Sequence, residues 1–273
     1  MLNFQIFIAS HWEEYFGKGS FVTISYSSSK QKIHHPANYA IKNCEFLKID
    51  NHAVEFKYAT YDTHVLVELC SFYNCTSLNS VGGSFYYGDS GSCITKSSNF
   101  VGSKGFGGIA FYITTDSDGL NIVDGINVLS CGTSTKEGNC TLYFGNCVNK
   151  FQNSNVSNNN CEEFVGIYLK ASNIQSEFQY STFINNTQEK SILIYYEGES
   201  MISFAYCSFI QNVQNLASND SLIYIKSGNL TLYDCIFHEN VASKPYDCRD
   251  CFLWDVRHDK EMYDTITRIV NPS

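Results

Sequence analysis

The feature that most constrains the fold of this chain is a repeat with a period near 27 residues. The segment Cys207–Asn212 (CSFIQN) returns 28 residues later as Cys235–Asn240 (CIFHEN), so one Cys-x-Phe-x-x-Asn pattern occurs twice in the same relation to its surroundings. With the Phe of this pattern as a marker, equivalent apolar residues recur every 26 to 28 residues, at Phe46, Phe72, Phe100, Val128, Val156, Phe183, Phe209 and Phe237. A fixed period of this length is typical of stacked-repeat architectures.

Inside each repeat the apolar residues follow a period of two. Leu230–Phe237 and Met201–Phe209 alternate apolar and polar side chains, which predicts β-strands. A second apolar run precedes each of these, as in Gly107–Ile113 and Ile192–Tyr196. The polar and glycine-containing segments between runs are predicted turns, namely 115–119, 197–199 and 227–229.

A period near 27 is too short for a propeller blade, and the strand content is too high for helical repeats. The sequence therefore predicts an all-β fold, a right-handed single-stranded parallel β-helix of about eight to nine coils. We expect residues 1–20 to form an N-terminal cap or flank, residues 21–242 to form the β-helix, and residues 243–273 to form an incomplete last coil or a C-terminal cap.

Two further positions of the repeat point to interior columns. The Asn position is occupied by Asn159, Asn186, Asn212 and Asn240, and stacked asparagines can pair amide to amide. Two residues before the marker, Cys44, Cys70, Cys207 and Cys235 share one position with Ser or Ile in the other coils. That interchange predicts small, buried, reduced cysteines.

Composition excludes several classes of partner. The formal net charge is −9 and only 16% of residues are charged, so no nucleic-acid surface is expected. No stretch approaches the roughly 18 apolar residues of a membrane span. Residues 1–10 are apolar but have no basic region, so we expect a capping segment or a misplaced gene start instead of a signal peptide.

Two short motifs could carry chemistry, and neither is complete. Gly88–Ser92 (GDSGS) resembles the nucleophile segment of trypsin-like proteases, but no matching upstream His segment precedes it, so it is interpreted as a turn. Cys248 and Cys251 with His258 supply half of a zinc pattern, and a disulfide or two free thiols are the alternatives. No catalytic residue, metal or cofactor is therefore assigned.

Parallel β-helices often act on acidic polysaccharides as lyases or hydrolases, and hydrolases need paired carboxylates. The densest acidic groups give weak carbohydrate-site candidates, which are Asp116, Asp118, Asp124, Glu197 and Glu199. No arginine precedes Arg249, which removes the bidentate contact that an oligouronate usually receives.

With these motifs in view, the chain resembles the repeats of polymorphic membrane proteins and related β-helix surface proteins, including large families in anaerobic protists such as trichomonads. The resemblance is carried by Phe183–Asn186, Phe209–Asn212 and Phe237–Asn240, and more loosely by Gly82–Phe85 and Gly107–Ala110. It implies an extracellular or cell-surface protein with a structural, adhesive or interaction role, whose partners are glycans or cell-surface proteins of a host.

Two other functions remain open at this point. A carbohydrate-active enzyme, either a polysaccharide lyase or a glycoside hydrolase, predicts several carboxylates and a lysine that converge on one sheet face. An intracellular scaffold or a truncated gene copy predicts free thiols throughout the chain.

Overall fold

The computed structural model describes residues 12–77, 79–88, 90–132, 140–146, 148–161, 165–170, 175–188, 192–214 and 221–259. Within these ranges, helical structure is confined to residues 12–16, and the other regular elements are β-strands.

The strands follow one another in short segments along the chain. The first are β1 (Val22–Ser25), β2 (Gln31–Ile33), β3 (Tyr39–Lys42), β4 (Glu45–Leu47), β5 (Val54–Phe56), β6 (His64–Glu68), β7 (Ser71–Tyr73), β8 (Thr76–Ser77), β9 (Phe85–Tyr87), β10 (Ser92–Lys96), β11 (Asn99–Val101) and β12 (Lys104–Gly105). The next are β13 (Phe111–Thr114), β14 (Leu120–Asp124), β15 (Asn127–Leu129), β16 (Cys140–Gly145), β17 (Val148–Gln152), β18 (Asn155–Ser157), β19 (Asn160–Cys161), β20 (Val165–Lys170), β21 (Ser176–Gln179), β22 (Thr182–Ile184) and β23 (Thr187–Gln188). The last are β24 (Ile192–Ala205), β25 (Ser208–Ile210), β26 (Val213–Gln214), β27 (Ser221–Tyr233), β28 (Ile236–His238), β29 (Lys244–Asp247), β30 (Asp250–Trp254) and β31 (Arg257–His258).

The strands stack into parallel sheets, one strand above its equivalent in the previous coil. Sheet 1 has 17 described strands, and sheet 2 has nine, in the order β4-β7-β11-β15-β18-β22-β25-β28-β31. The pairs of sheet 2 are parallel from one end to the other. This confirms the predicted all-β fold, a parallel β-solenoid.

Each strand of sheet 2 from β4 to β28 lies between two bends, and each bend is formed by a single left-handed residue. In one coil these residues are Tyr206 (φ 56°) and Gln211 (φ 52°), which flank β25. The backbone N–H of each donates to a carbonyl of the next coil, Tyr206 to Tyr233 O at 2.9 Å and Gln211 to His238 O at 2.9 Å. A left-handed residue turns the chain abruptly, and the cross-coil bond satisfies its backbone N–H.

The marker residues lie in one inward column at the middle of sheet 2. Phe46, Phe72, Phe100, Val128, Val156, Phe183, Phe209 and Phe237 are paired in register and are 0 to 1% exposed. Neighbouring rings stack, with centroids 4.7 Å apart for Phe72–Phe100 and for Phe209–Phe237. They belong to one continuous hydrophobic core.

The asparagines form a second column directly after the bend. Asn186 Nδ2 donates to Asn212 Oδ1 at 3.0 Å, and Asn212 Nδ2 donates to Asn240 Oδ1 at 2.9 Å. Asn159 Nδ2 donates to Asn186 Oδ1 in the same way at 2.9 Å. Because each amide also donates to the marker carbonyl of the preceding coil, the column satisfies buried backbone groups at these four bends.

The position two residues before the marker has its own physical requirement. Cys70 Sγ donates to Glu68 O at 3.3 Å, and Ser154 Oγ donates to Gln152 O at 2.7 Å. In both cases the acceptor is the carbonyl two residues back, on the far side of the left-handed residue. Cys and Ser interchange here because both are small and both donate a hydrogen bond.

The segment before β1 packs on the outer face of sheet 1. Trp12 is 1% exposed and belongs to a separate cluster with Ala40, Leu66 and Ile94. Phe16 stacks on His64 with 4.6 Å between ring centroids. Apolar residues on this outer face are therefore covered by the helical turn at 12–16, which lies beside the rod.

Two of the predicted turns are wrong. Residues 197–199 lie inside β24 and residues 227–229 lie inside β27, and the two strands pair with register shifts on either side of Glu197. At these register shifts the chain changes direction without ending the strand, because hydrogen bonds to the parallel neighbouring strands continue on either side. The turn at 115–119 is present. Residues 260–273 of the expected last coil or cap lie outside the described residues.

Candidate functional site

The three candidate aspartates near β14 have separate environments. Asp116 Oδ1 accepts from Ser90 Oγ at 2.8 Å, and its Oδ2 accepts from the Gly91 N–H at 3.2 Å. Asp124 Oδ1 accepts from Asn153 Nδ2 at 2.8 Å. Asp118 is exposed in the turn. Asp116 and Asp124 therefore link neighbouring coils.

Glu197 lies on the outer face of β24. Its Oε1 is 2.6 Å from Lys226 Nζ, and its Oε2 accepts from the Tyr168 hydroxyl at 2.6 Å. These hydrogen bonds, from Lys226 first and from Tyr168 second, lower the pKa of Glu197. A general acid in a glycosidase needs a raised pKa, so the environment of Glu197 opposes that role. Glu199 is exposed.

The aspartate and glutamate candidates also lie in different coils. Strand β14 reaches β24 through β17 and β21, which places them about 14 Å apart along the rod. Catalytic carboxylate pairs of glycosidases are separated by roughly 5–10 Å. Among the described residues, no group of three or more His, Cys, Asp or Glu side chains is arranged to hold a metal ion.

The two incomplete motifs serve structural roles where they are described. Ser90 binds Asp116 across the coils, and position 89 lies outside the described residues. Cys248 and Cys251 form a disulfide, which is one of the two alternatives to zinc. His258 stacks on Phe237 with 4.9 Å between centroids and extends the marker column.

A polar cluster around His52 went unnoticed in the sequence. His52 Nε2 is 3.0 Å from Ser80 Oγ, and its Nδ1 is 3.4 Å from Glu55 Oε1, which is the order of a Ser-His-acid triad. However, Nε2 is also 2.6 Å from the carbonyl oxygen of Val81. A carbonyl only accepts, so Nε2 carries a proton and cannot take one from Ser80. The cluster is a buried polar link.

Six tyrosines form a continuous stack on the outer face of sheet 1, which we call the tyrosine ladder. Its members are paired in register and comprise Tyr86, Tyr112, Tyr143, Tyr168, Tyr195 and Tyr224. Successive ring centroids are 5.6, 4.2, 5.2, 5.1 and 5.6 Å apart. Since each interior ring lies between two others, these rings present mainly edges and hydroxyls to solvent.

Packing explains the electrostatics of the tyrosine ladder. Burial raises the pKa of four of its phenols, those of Tyr112, Tyr143, Tyr168 and Tyr195. Gly88, two residues after Tyr86, leaves room for the Tyr86 ring, since a Cβ at Gly88 would lie 2.2 Å from the Tyr86 hydroxyl. The ladder is therefore a packed cover of the sheet.

A second aromatic surface is far more exposed, and we call it the aromatic patch. It consists of Tyr180, Tyr206, Tyr233 and Trp254, which are 57, 42, 44 and 40% exposed. The rings of Tyr180 and Tyr206 stack at 4.9 Å with 1° between their planes, and Tyr233 meets Tyr206 edge-on at 5.2 Å. Tyr233 is the register partner of Trp254. The patch follows the bend between sheets 1 and 2 over four successive coils.

Charged side chains border the aromatic patch. Arg257 Nη2 lies 3.8 Å from Asp234 Oδ1 and 3.7 Å from Asp255 Oδ2. Exposed ion pairs of this kind contribute little to stability, so their side chains can exchange partners with a ligand. The patch combines flat apolar rings with hydrogen-bonding groups at its edge.

Comparisons with known proteins give only distant similarities. No protein-family model matches the sequence, and no curated protein matches it. A surface adhesin of Streptococcus pneumoniae, PfbA, aligns at a TM-score of 0.31 and 9% identity over 93% of this chain and 87% of that chain. HetL, a pentapeptide repeat protein from the cyanobacterium Nostoc, aligns at a TM-score of 0.22 and 9% identity over 84% of this chain and 89% of that chain.

The described part of the chain contains no α-helix with the length and hydrophobicity that spanning a bilayer requires.

The aromatic patch was missed because its sequence signal is indirect. Tyr180 and Tyr206 each stand directly before the Ser or Cys of the repeat, at the left-handed position. Side chains at such a bend point away from the core, so an aromatic residue recurring there indicates an exposed row.

Proposed function

We propose that this protein is a non-catalytic β-solenoid that is secreted or displayed at the cell surface and has an adhesive or interaction role. One observation carries the proposal. Three of the five candidate carboxylates, Asp116, Asp124 and Glu197, are engaged in cross-coil hydrogen bonds, while the aromatic patch lies exposed on four successive coils. Exposed apolar surface of this kind is typical of interaction sites.

The fold suits such a role. Coils stacked about 4.8 Å apart repeat the same outward position along a straight line, so one favourable contact can recur with each coil. We take the coil to be right-handed, because parallel crossovers are right-handed in nearly all proteins. The proposal includes residues 1–20 as an N-terminal cap or flank and residues 243–273 as an incomplete last coil or a C-terminal cap.

One cysteine pair supports placement outside the cell, whereas free thiols are what the intracellular alternative predicts. The Cys248–Cys251 disulfide suits an oxidising compartment. The nine described free cysteines are buried, and burial raises the pKa of Cys131 to about 11 and that of Cys140 to about 12. Because the thiolate is the reactive form, burial makes Cys131 and Cys140 poor targets for oxidation.

The test measures adhesion and enzymatic activity on the same preparation. Fluorescently labelled protein is applied to cell monolayers, and in parallel the protein is incubated with pectin, xylan and chitin while released reducing ends are measured. We expect saturable adhesion that falls in a Tyr180→Ala/Tyr206→Ala double variant, and no released reducing ends. The matched control is Tyr26→Ala, which changes an exposed tyrosine at the same left-handed position in another coil.

Release of reducing ends that disappears in Glu197→Gln would establish the competing carbohydrate-active enzyme. Adhesion that is equal in the double variant and the wild type would remove the aromatic patch from the binding surface.

A further inference from the structure

We infer that the aromatic patch binds a neutral β-linked oligosaccharide. The inference rests on the proposed function and names the class of ligand that the same surface would take. Four features of the aromatic patch support it: an open ring face, the spacing of the rings along the rod, the charges at the border and the size of the exposed area.

The open ring face is at Tyr180. One face of this ring stacks on Tyr206. On the opposite side, the same bend position is occupied by Asn153, whose backbone N–H donates to Gln179 O and whose side-chain amide is bound to Asp124. Tyr180 is 57% exposed. The C–H face of a pyranose ring can stack on such a surface, whereas each interior ring of the tyrosine ladder lies between two others.

The spacing of the rings matches a polymer of sugar rings. Tyr180 and Tyr206 occupy the bend position of two successive coils, whereas Tyr233 and Trp254 stand one residue before the bend in the next two coils. Strand spacing fixes this step at about 4.8 Å, which is close to the length of one monosaccharide in an extended β-linked chain. The stacked rings of Tyr180 and Tyr206 face along the rod, so a chain lying along it would meet the ring edges and hydroxyls of one coil with each sugar, and the sugar at its end would reach the open face of Tyr180.

The border of the patch selects for neutral sugars. Asp234, Asp255 and Arg257 sum to a charge of −1, and their side chains are 36, 69 and 65% exposed. Carboxylates and a guanidinium bind sugar hydroxyls, as acceptors and donors respectively. Two carboxylates beside one arginine repel a polyuronate, so acidic glycans are disfavoured.

The size of the patch argues against a folded protein partner. Four aromatic side chains that expose about half of their surface supply on the order of 400 Å². A standard protein interface requires about 800 Å² from each partner. An oligosaccharide of a few sugars needs much less area, and rigid ring faces bind it at a low cost in conformational entropy.

Cellohexaose and chitohexaose are the test ligands, with a galacturonate hexamer as the charged comparison. Each is titrated into the full-length protein while tryptophan fluorescence is recorded, since Trp254 is 40% exposed and Trp12 is 1% exposed. We expect saturable quenching by at least one neutral hexamer and a weaker response to the galacturonate hexamer. Tyr180→Ala is expected to weaken binding by roughly tenfold, Tyr180→Phe to retain most of it, and Tyr26→Ala to have no effect. Circular dichroism verifies that each variant is folded.

Absence of binding by the wild type to both neutral hexamers up to about 10 mM would overturn the inference, as would equal binding by Tyr180→Ala. If labelled protein nevertheless adheres to cells through the aromatic patch, the proposed function stands and the ligand belongs to another class. If the wild type neither adheres to cells nor binds a hexamer, the proposed function and this inference both fall.

Discussion

The side-chain amide of Asn186 donates to Oδ1 of Asn212 across 3.0 Å, and the backbone N–H of Asn186 donates to the same oxygen across 3.1 Å. The same amide also donates to the carbonyl of Val156 at 2.9 Å. One buried side chain therefore satisfies polar groups of the coils before and after it, which makes the asparagine column specific to this fold.

Replacing Asn186 with alanine should lower the free energy of unfolding by about 3 kcal/mol. The substitution leaves the Val156 carbonyl and the Asn159 N–H without their partner in a buried bend, and each such group costs about 1–3 kcal/mol. Urea denaturation measures the change. Asn127→Ala, which removes an exposed asparagine, is the control and should change stability by less than about 0.5 kcal/mol. Equal effects of the two substitutions would mean that the column does not stabilise the fold.

Phe209→Ala should cost about 3–5 kcal/mol. Phe209 lies between Phe183, at 5.0 Å, and Phe237, at 4.7 Å, and its removal leaves a cavity in the core. Phe106 is 45% exposed, and Phe106→Ala should have a much smaller effect on the denaturation midpoint. A loss below about 1 kcal/mol for Phe209→Ala would contradict a packed marker column.

Gly83→Ala should disrupt two neighbouring coils. The Gly83 N–H donates to Gly108 O at 3.1 Å, and a Cβ at position 83 would lie 2.0 Å from the carbonyl oxygen of Ile109. Backbone cannot move aside cheaply, so we expect a loss of at least about 3 kcal/mol in thermal unfolding. At Gly19 an added Cβ meets nothing within 4 Å, so Gly19→Ala should leave the melting temperature nearly unchanged. A well-tolerated Gly83→Ala would show that these coils do not stack so closely.

Alkaline pH should weaken the fold through the tyrosine ladder. Burial raises the pKa of Tyr112 and Tyr168 in the folded state, above the unfolded value of about 10. The folded protein then holds more protons above pH ~10, so stability present below that pH is lost as pH rises toward the folded pKa. Denaturation at several alkaline pH values, with tyrosinate absorbance, follows this loss.

Tyr112→Phe and Tyr168→Phe should each reduce the alkaline loss, because phenylalanine has no proton to release. Tyr61 is 76% exposed and lies outside the ladder, so Tyr61→Phe should leave the loss unchanged. Ionisation of the ladder tyrosines at or below pH ~10 would be inconsistent with their burial.

The fold could be predicted because every stacked coil imposes the same requirements on its residues. A buried column accepts only apolar residues, as at Phe183 and Phe209, and the bend that follows accepts a residue that bonds backbone groups, as at Asn186. Both requirements recur with every coil, so they become visible as a period in the sequence. The turn predicted at 197–199 was wrong because a strand that is hydrogen-bonded to its neighbours can contain glycine and charged residues without ending.

The candidate site was much less predictable than the fold. Acidic residues drew attention because two carboxylates can catalyse hydrolysis, but Asp116 and Glu197 are engaged in hydrogen bonds between coils. Whether an outward tyrosine exposes its face or its edge depends on its neighbours across the coils. Tyr143 has neighbours on both faces and Tyr180 has a stacked ring on one face, a difference that sequence spacing does not show.

The central claim is that the backbone completes one lap every 27 residues or so and stacks each lap on the last. Leu47, Ile184 and His238 occupy the same place in sheet 2, five and seven strands apart. Spin labels on a non-canonical amino acid at 47 and 184, and at 47 and 238, measure the spacing by pulsed electron spin resonance. The account predicts backbone separations of about 24 and 34 Å, and two distances that do not increase with the number of coils would contradict it.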